Sequence, residues 1–241
     1  MNKKLFHQLL ETHSDNTDYE KYLNTTQLLT AQKKVADLLP DELQFQIVHQ
    51  SEELWMKLLA YTLLQIDSYL VKENTNRVLT LFRRAHKIQR LMIDQLSMLE
   101  TMSPKEYFPI RALLGNGSGQ ESPGFKILLQ MPAPLWQTFK KHYLEKADLT
   151  IEQIYDTKYN HCDAYLIAEQ LIEFDSNFQE FLYSHLRLVE RTIGPRATSL
   201  KGRSTDALSI SASRNFFPEL WNIRTQMTEQ WTRRRGSSPY Q

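Results

Sequence analysis

Asp41-Glu-Leu-Gln-Phe-Gln-Ile-Val-His-Gln-Ser-Glu-Glu-Leu-Trp-Met-Lys-Leu-Leu-Ala-Tyr-Thr-Leu-Leu-Gln-Ile-Asp-Ser-Tyr-Leu-Val-Lys-Glu73 is the stretch that decides the fold class. Its apolar residues fall at Leu43, Ile47, Leu54, Leu58, Leu59, Leu63, Ile66 and Leu70. That is the spacing of a helix face, not the strict alternation of a strand. Pro40-Asp41-Glu42 gives a helix start with acid in the first turn, where unpaired N–H groups favour negative charge. The polar run Asn74 to Asn76 closes it. Val78 to Met102 repeats the pattern through Leu79, Leu81, Phe82, Ile88, Leu91, Met92, Ile93, Leu96 and Leu99, and stops before Ser103-Pro104 because the residue preceding a proline avoids the helical region. A third long helix is predicted from about Ile151 to Ile193, with Phe174, Phe178, Phe181, Leu182, His185, Leu188 and Val189 on one face and a stop at Gly194-Pro195. Shorter helices are expected at Leu5 to Glu11, Thr26 to Leu39, Glu106 to Leu114, Leu135 to Ala147 and Pro218 to Arg233. Arg111 to Gly124 reads as a helix end running into a glycine-rich loop, and Arg233 to Gln241 as a frayed end. No segment has strand character, so the expected fold is all-α: long antiparallel helices side by side with shorter peripheral ones, in one domain over 1–241.

Composition narrows the partners. With 29 basic and 28 acidic side chains the 241-residue chain carries a net charge of +1. A nucleic-acid binder normally needs a basic excess to displace counterions from phosphates, so no nucleic acid is expected. The single Cys162 allows no intrachain disulfide, and no zinc-finger spacing occurs. His7 and Gln8 interrupt the apolar stretch at the N-terminus before signal-peptide length, and no run approaches the roughly 20 apolar residues a bilayer requires. The expectation is a soluble cytoplasmic protein without a membrane anchor.

Three constellations could carry chemistry. Phe45 and His49 lie one helical turn apart on one face, an aromatic wall beside an imidazole; a core histidine bonded to a carbonyl fits the same spacing. Tyr107 and Arg111 repeat the arrangement before the glycine loop. There a guanidinium could clamp a carboxylate bidentately, with Gly117-Ser118-Gly119 nearby, or could cap the helix end at Leu114-Gly115. His185 sits on the most apolar face of the chain, where its nitrogens need partners: axial ligation of a haem iron and a hydrogen-bonded core role both satisfy that. A di-iron site of the Glu-x-x-His type is excluded, because no acid stands three residues before any histidine despite Glu52 and Glu53 near His49.

Four blocks in order then resemble one family, tryptophan 2,3-dioxygenase and its haem-dependent relatives. They are Tyr19-Glu-Lys-Tyr-Leu23 with Gln27-Leu-Leu-Thr-Ala-Gln32; Asp41 to Gln50 with Glu53-Leu-Trp-Met-Lys57; Leu99-Glu-Thr-Met-Ser-Pro104 through Tyr107, Arg111, Leu114-Gly115 and Ser118-Gly119; and His185-Leu-Arg-Leu-Val-Glu-Arg-Thr-Ile-Gly194 with Phe216-Phe-Pro-Glu-Leu-Trp221 and Arg224-Thr225. The resemblance implies haem b held axially by His185, with His49 on the opposite side bonding the indole N–H of tryptophan. It implies that Phe45, Tyr107 and Leu114 line the indole pocket, that Arg111 pairs with the substrate carboxylate, and that Ser118 and Gly119 lie beside haem and substrate. The activity implied is insertion of O2 across the indole C2–C3 bond to give N-formylkynurenine; a haem-dependent hydroxylase of tyrosine or a modified tryptophan is the alternative, and a non-catalytic haem-binding protein a third. Tyr19, Tyr22 and Leu23 match a segment, within residues 1–25, that reaches a neighbouring active site in this family, implying a homo-oligomer, a tetramer or dimer. Three departures fall near the substrate. Pro195 to Thr205 replaces a Gly/Thr/Ser-rich cover loop, with Thr198, Ser199 or Ser204 as its candidate substrate contact; Gln120-Glu121 follows the Ser-Gly pair; and the segment before His185 is short for the family.

Overall fold

The computed structural model describes residues 17–115, 119–157, 160–195 and 214–236. The helix expected at Leu5 to Glu11, the tail beyond residue 236, and Ser118, Thr198, Ser199 and Ser204 lie outside them. In order, the helices are α1 Asp18–Leu23, α2 Thr25–Leu29, α3 Glu42–Val71, α4 Thr75–Leu99, α5 Pro104–Leu113, α6 Pro123–Leu128, α7 Pro132–Phe139, α8 Ile151–Tyr155, α9 Asp163–Ile193 and α10 Pro218–Gly236. The described residues form no strand, and the fold is all-α.

Local chemistry sets the boundaries. Asn74 accepts from the Arg77 N–H and starts α4 three residues earlier than the apolar pattern suggests. Ser103 and Glu106 close a reciprocal capping box on α5, whose first residue is Pro104, a position where the missing N–H costs nothing. The stretch expected as one helix from Ile151 is two. Between α8 and α9 the chain leaves the helical region at Asp156 and is extended at Cys162. Tyr155 explains the break, because its hydroxyl donates to Glu169 at 2.7 Å and its ring meets Tyr165 edge-on at 5.4 Å. Both contacts require α8 to fold back along α9. Thr26 to Leu39 likewise resolves into α2 and a single 3-10 turn at Val35–Asp37, and Leu135 to Ala147 into α7, a π-helical turn at Lys140–Leu144 and a 3-10 turn at Glu145–Ala147. The stretch expected as a glycine-rich loop holds a 3-10 turn at Gly119–Glu121 and runs into α6, with Ser122 capping the Phe125 N–H at 3.0 Å.

The pairing of the long helices places the two candidate histidines. Gln44 reaches Thr101, Glu52 reaches Gln95 and Gln65 reaches Arg84, so α3 and α4 are antiparallel across a short turn. Thr75 meets Asp163, Gln89 donates to the Phe174 carbonyl and Arg191 pairs with Glu100, so α9 runs parallel to α4 after a long connection. The start of α3, the end of α4 and the end of α9 therefore share one end of the bundle, and His49 and His185 lie at that end. Leu59, Leu63, Ile66, Leu70, Leu81, Phe82, Met92, Leu171, Phe174 and Phe178 fill the core between these helices. On α3 the apolar pattern splits: Leu59, Leu63, Ile66 and Leu70 face inward, whereas Ile47, Leu54 and Leu58, expected to pack, are exposed.

Glu52 is buried at the α3–α4 interface, where Gln95 donates to one carboxylate oxygen and the other has no partner among the described residues. Desolvation, reinforced by Glu53, pushes its pKa up to about 8 against the opposing Gln95 bond. The native state thus keeps a proton that the unfolded chain releases near pH 4.5, so stability falls as pH rises from about 4.5 to 8. Glu52→Gln removes the titration. Denaturant unfolding is expected to show little difference from the parent at pH 4.5 and a gain of about 3 kcal/mol at pH 8.5; a pH-independent difference refutes the assignment.

Candidate active site

The N-terminal turns of α3 present Phe45 and His49 with ring centroids 4.0 Å apart and planes tilted by 35°, and α5 brings Tyr107 to 6.0 Å from Phe45. The His49 Nδ1 lies 2.8 Å from the Phe45 carbonyl oxygen, so Nδ1–H donates there and Nε2 is left as the outward-facing nitrogen of the neutral ring. The carbonyl bond expected of a core histidine thus fixes the tautomer and leaves Nε2 as the acceptor. Tyr107 is half-buried, and desolvation raises its pKa while the charge of Arg111 opposes the rise. The guanidinium therefore stands within electrostatic reach of the phenol, on the same wall. Gly115, at φ +55°, closes the end of α5 in the left-handed region, with its N–H donating to the Ala112 carbonyl at 3.2 Å. The backbone thus terminates the helix. Leu114 sits beside it, 41% exposed.

The opposite wall belongs to α9. His185 keeps accessible surface although protein surrounds it closely, the signature of a side chain lining a recess rather than the outer surface. Desolvation first, and repulsion from His49 second, push its pKa down to about 4. His49 behaves alike: exposed by area, yet lowered by desolvation, with the Phe45 carbonyl and Glu53 opposing. The two imidazoles are near enough for their charges to repel. Gly119 stands over His185: a Cβ at that position would lie 3.8 Å from His185 Nε2 and 3.9 Å from Cε1. From His185 an aromatic series runs along α9 to the segment before α10, with Phe181 at 6.4 Å from the His185 ring, Phe178 at 6.1 Å from Phe181, and Phe216 at 4.8 Å from Phe178.

The structure thus assembles Phe45, His49, Tyr107 and Arg111 on one side and Gly119 and His185 on the other. Among the described residues no group of three or more His, Cys, Asp or Glu side chains could hold a bare metal ion. A separate cavity of about 470 Å³ lies beyond His185 at the end of α9, lined by Glu100, Arg187, Glu190, Arg191 and Pro195. Its charges pair with one another, Arg187 with Glu190 at 2.5 Å and Arg191 with Glu100 at 3.2 Å. Two residues that shape the site went unremarked as such in the sequence: Glu53, whose carboxylate accepts the Gly124 N–H at 3.0 Å, and Asp175, which holds Phe216. An acid at 175 between Phe174 and Phe178 was the available signal, since a charge on an apolar face must find donors.

Comparison with known proteins gives a concordant result. A family model described as tryptophan 2,3-dioxygenase matches residues 7–131. The chain is 30% identical over 265 residues to a tryptophan 2,3-dioxygenase of Myxococcus xanthus, covering 88% of this chain and 90% of the relative. It is 27% identical to one of Serratia proteamaculans, covering 94% and 99%, and 26% identical to one of Bacillus cereus, covering 88% and 94%. The 265 aligned positions exceed the 241 residues of this chain, so the relative carries segments absent here.

Proposed function

Because this chain belongs to the tryptophan 2,3-dioxygenase family, we propose that it cleaves the indole ring of L-tryptophan with O2 to give N-formylkynurenine, using haem b held by His185. The observation that carries the reading is a pair of neighbouring imidazoles: a desolvated His185 with Gly119 beside its Nε2, and His49 with its aromatic wall. The residues fit the group. A histidine whose pKa is near 4 is neutral at physiological pH and offers the lone pair that ligation needs. A side chain at 119 would fill the space beside Nε2.

When bound, the haem supplies the redox chemistry that activates O2. The chain supplies everything else. Phe45 and Tyr107 offer flat apolar surface to the indole, and His49 Nε2 accepts a hydrogen bond from its N–H. Arg111 pairs with the carboxylate, which fixes the ring's distance from the metal side, and the recess excludes water. Gly119 completes the near side of this pocket, and the reading takes Ser118 and Ser199, which lie outside the described residues, as further contacts. The same reading takes residues 1–241 as one domain acting in the cytoplasm on a small aromatic amino acid and O2, without nucleic acid. Among the described residues no helix is long and apolar enough to cross a membrane.

A homo-oligomer, a tetramer or dimer, forms part of the proposal. Helix α1 buries none of its residues, and Tyr19 and Tyr22 are 69% and 88% exposed. Ile47, Leu54 and Leu58 on α3 are uncovered as well, which is the surface a second subunit would close.

The decisive test is the product. Purified protein with haemin, ascorbate, L-tryptophan and O2 is expected to form N-formylkynurenine, both oxygen atoms ending in the product; a product with one added oxygen would establish the hydroxylase instead, which the relatives' shared dioxygenase identity does not favour. In the same assay Arg111→Ala is expected to raise KM for tryptophan about 30-fold, about 2 kcal/mol for a lost charge-assisted pair, with haem content unchanged. Equal losses of haem and substrate affinity would make Arg111 a structural residue.

A further inference from the structure

Residues 119–128 form a strap that crosses from α9 to α3, and its attachment to α3 is unusually tight. Its 3-10 turn, Gly119–Glu121, puts Gly119 against His185. Five residues later Gly124 lies directly on α3: a Cβ there would come within 2.7 Å of Met56 Cβ and 2.8 Å of Glu53 Oε2. Only glycine fits without moving backbone. The Gly124 N–H, near the N-terminus of α6, donates to Glu53 Oε2 at 3.0 Å, and Ser122 Oγ lies 3.7 Å from Met56 Sδ. Phe125 then stacks on Phe178 of α9 at 6.1 Å with the rings 12° apart. The strap thus touches the helix of each histidine, and Glu53 is the carboxylate that ties its middle to α3, one helical turn after His49.

We propose that Glu53 is a positioning residue: by accepting the Gly124 N–H it fixes the register of the strap on α3, and through it where Gly119 stands over His185 and how wide the recess between the histidines is. This rests on the reading of His49 and His185 as the two sides of a haem site. Glu53 touches neither substrate nor cofactor in this account. Its charge also favours the protonated form of His49 one turn back, in the direction opposite to desolvation, so the carboxylate couples the strap and the distal imidazole.

The test compares Glu53→Ala with Glu53→Gln, the latter keeping an oxygen that can accept the Gly124 N–H. Hydrogen exchange of the purified full-length protein is read at Gly124 and Phe125, with the amides of Leu59 to Leu70 in the same sample as internal reference. Glu53→Ala is expected to speed exchange at Gly124 at least about tenfold while the reference stays unchanged, and Glu53→Gln to restore protection to within about threefold. In haemin-loaded, reduced protein, Glu53→Ala is expected to shift the stretching frequency of bound CO, a probe of the field in the recess, and Glu53→Gln to bring it most of the way back. Unchanged exchange at Gly124, or acceleration shared equally by the reference amides, overturns the proposal. The exchange arm needs no haem: a protein that takes up none refutes the reading of the site, whereas one that binds haem with Gly124 unaffected by Glu53→Ala refutes the role of Glu53 alone.

Discussion

His185→Ala is expected to abolish the Soret band that the parent protein develops with haemin, with apparent affinity falling on the order of a thousandfold. The expectation follows from the state of the ring. An imidazole held near pKa 4 by desolvation and by His49 is neutral throughout the physiological range. Its lone pair is therefore uncommitted to a proton and open to a metal. The sign of its pH dependence is a second check. A base with a depressed folded pKa forgoes protonation that the unfolded chain accepts, so its contribution to stability is complete above pH 6.5 and is lost as pH falls toward 4. Haemin titrations should therefore show coordination by His185 surviving to about pH 5, where a free imidazole is already mostly protonated. His49→Ala serves as the control, since it leaves the band in place and weakens tryptophan. A band unchanged in His185→Ala would assign the iron to another ligand.

The contrast between His185 and its neighbours shows what the sequence could and could not reveal. The 3.6-residue period identified three long helical segments because burial of one face is a local pattern, visible within a single window. Which apolar stripe is buried is not local. On α3, Leu59 and Leu63 face α4 while Leu54 and Leu58 are exposed, and both sets have helical spacing. The break before α9 was hidden because Tyr155 and Glu169 are fourteen residues apart and meet only when the chain doubles back. Gly119 and Gly124 read as loop residues, since glycine and proline punctuate loops; that Gly124 is a contact residue depends on Met56, far away in sequence. Phe45, His49, Tyr107 and Arg111 were legible because each pair repeats one turn apart on a helix, and the fold had only to bring two helix ends together. Ion pairs and caps that cross between helices, such as Glu53 with Gly124, leave no periodic trace.

Asp175 shows most sharply how one such contact can govern the site. It is fully buried on α9 between Phe174 and Phe178, and its Oδ2 accepts the backbone N–H groups of Phe216 at 2.9 Å and Phe217 at 3.2 Å and the indole N–H of Trp221 at 2.9 Å. All three donors belong to the entry into α10, whose N-terminus also favours a negative charge. Asp175→Ala would leave three donors without their acceptor, the Phe217 N–H buried and the other two part-buried, each costing about 1–3 kcal/mol when cut off from water and less where water enters the gap. Urea denaturation is expected to show a loss of about 4 kcal/mol, and limited proteolysis to cleave near residue 214 before the bundle unfolds. Asp175→Asn keeps one oxygen acceptor and should lose about half as much. The effect should extend to function, because Phe216 packs at 4.8 Å from Phe178 and the aromatic series continues to His185. Haemin should therefore bind Asp175→Ala more weakly than the parent but far more tightly than His185→Ala, since the axial nitrogen is retained and only its backing is loosened. Asp175→Ala protein with parental stability would show that α10 is held by its apolar contacts through Phe217 and Leu220, with the carboxylate incidental.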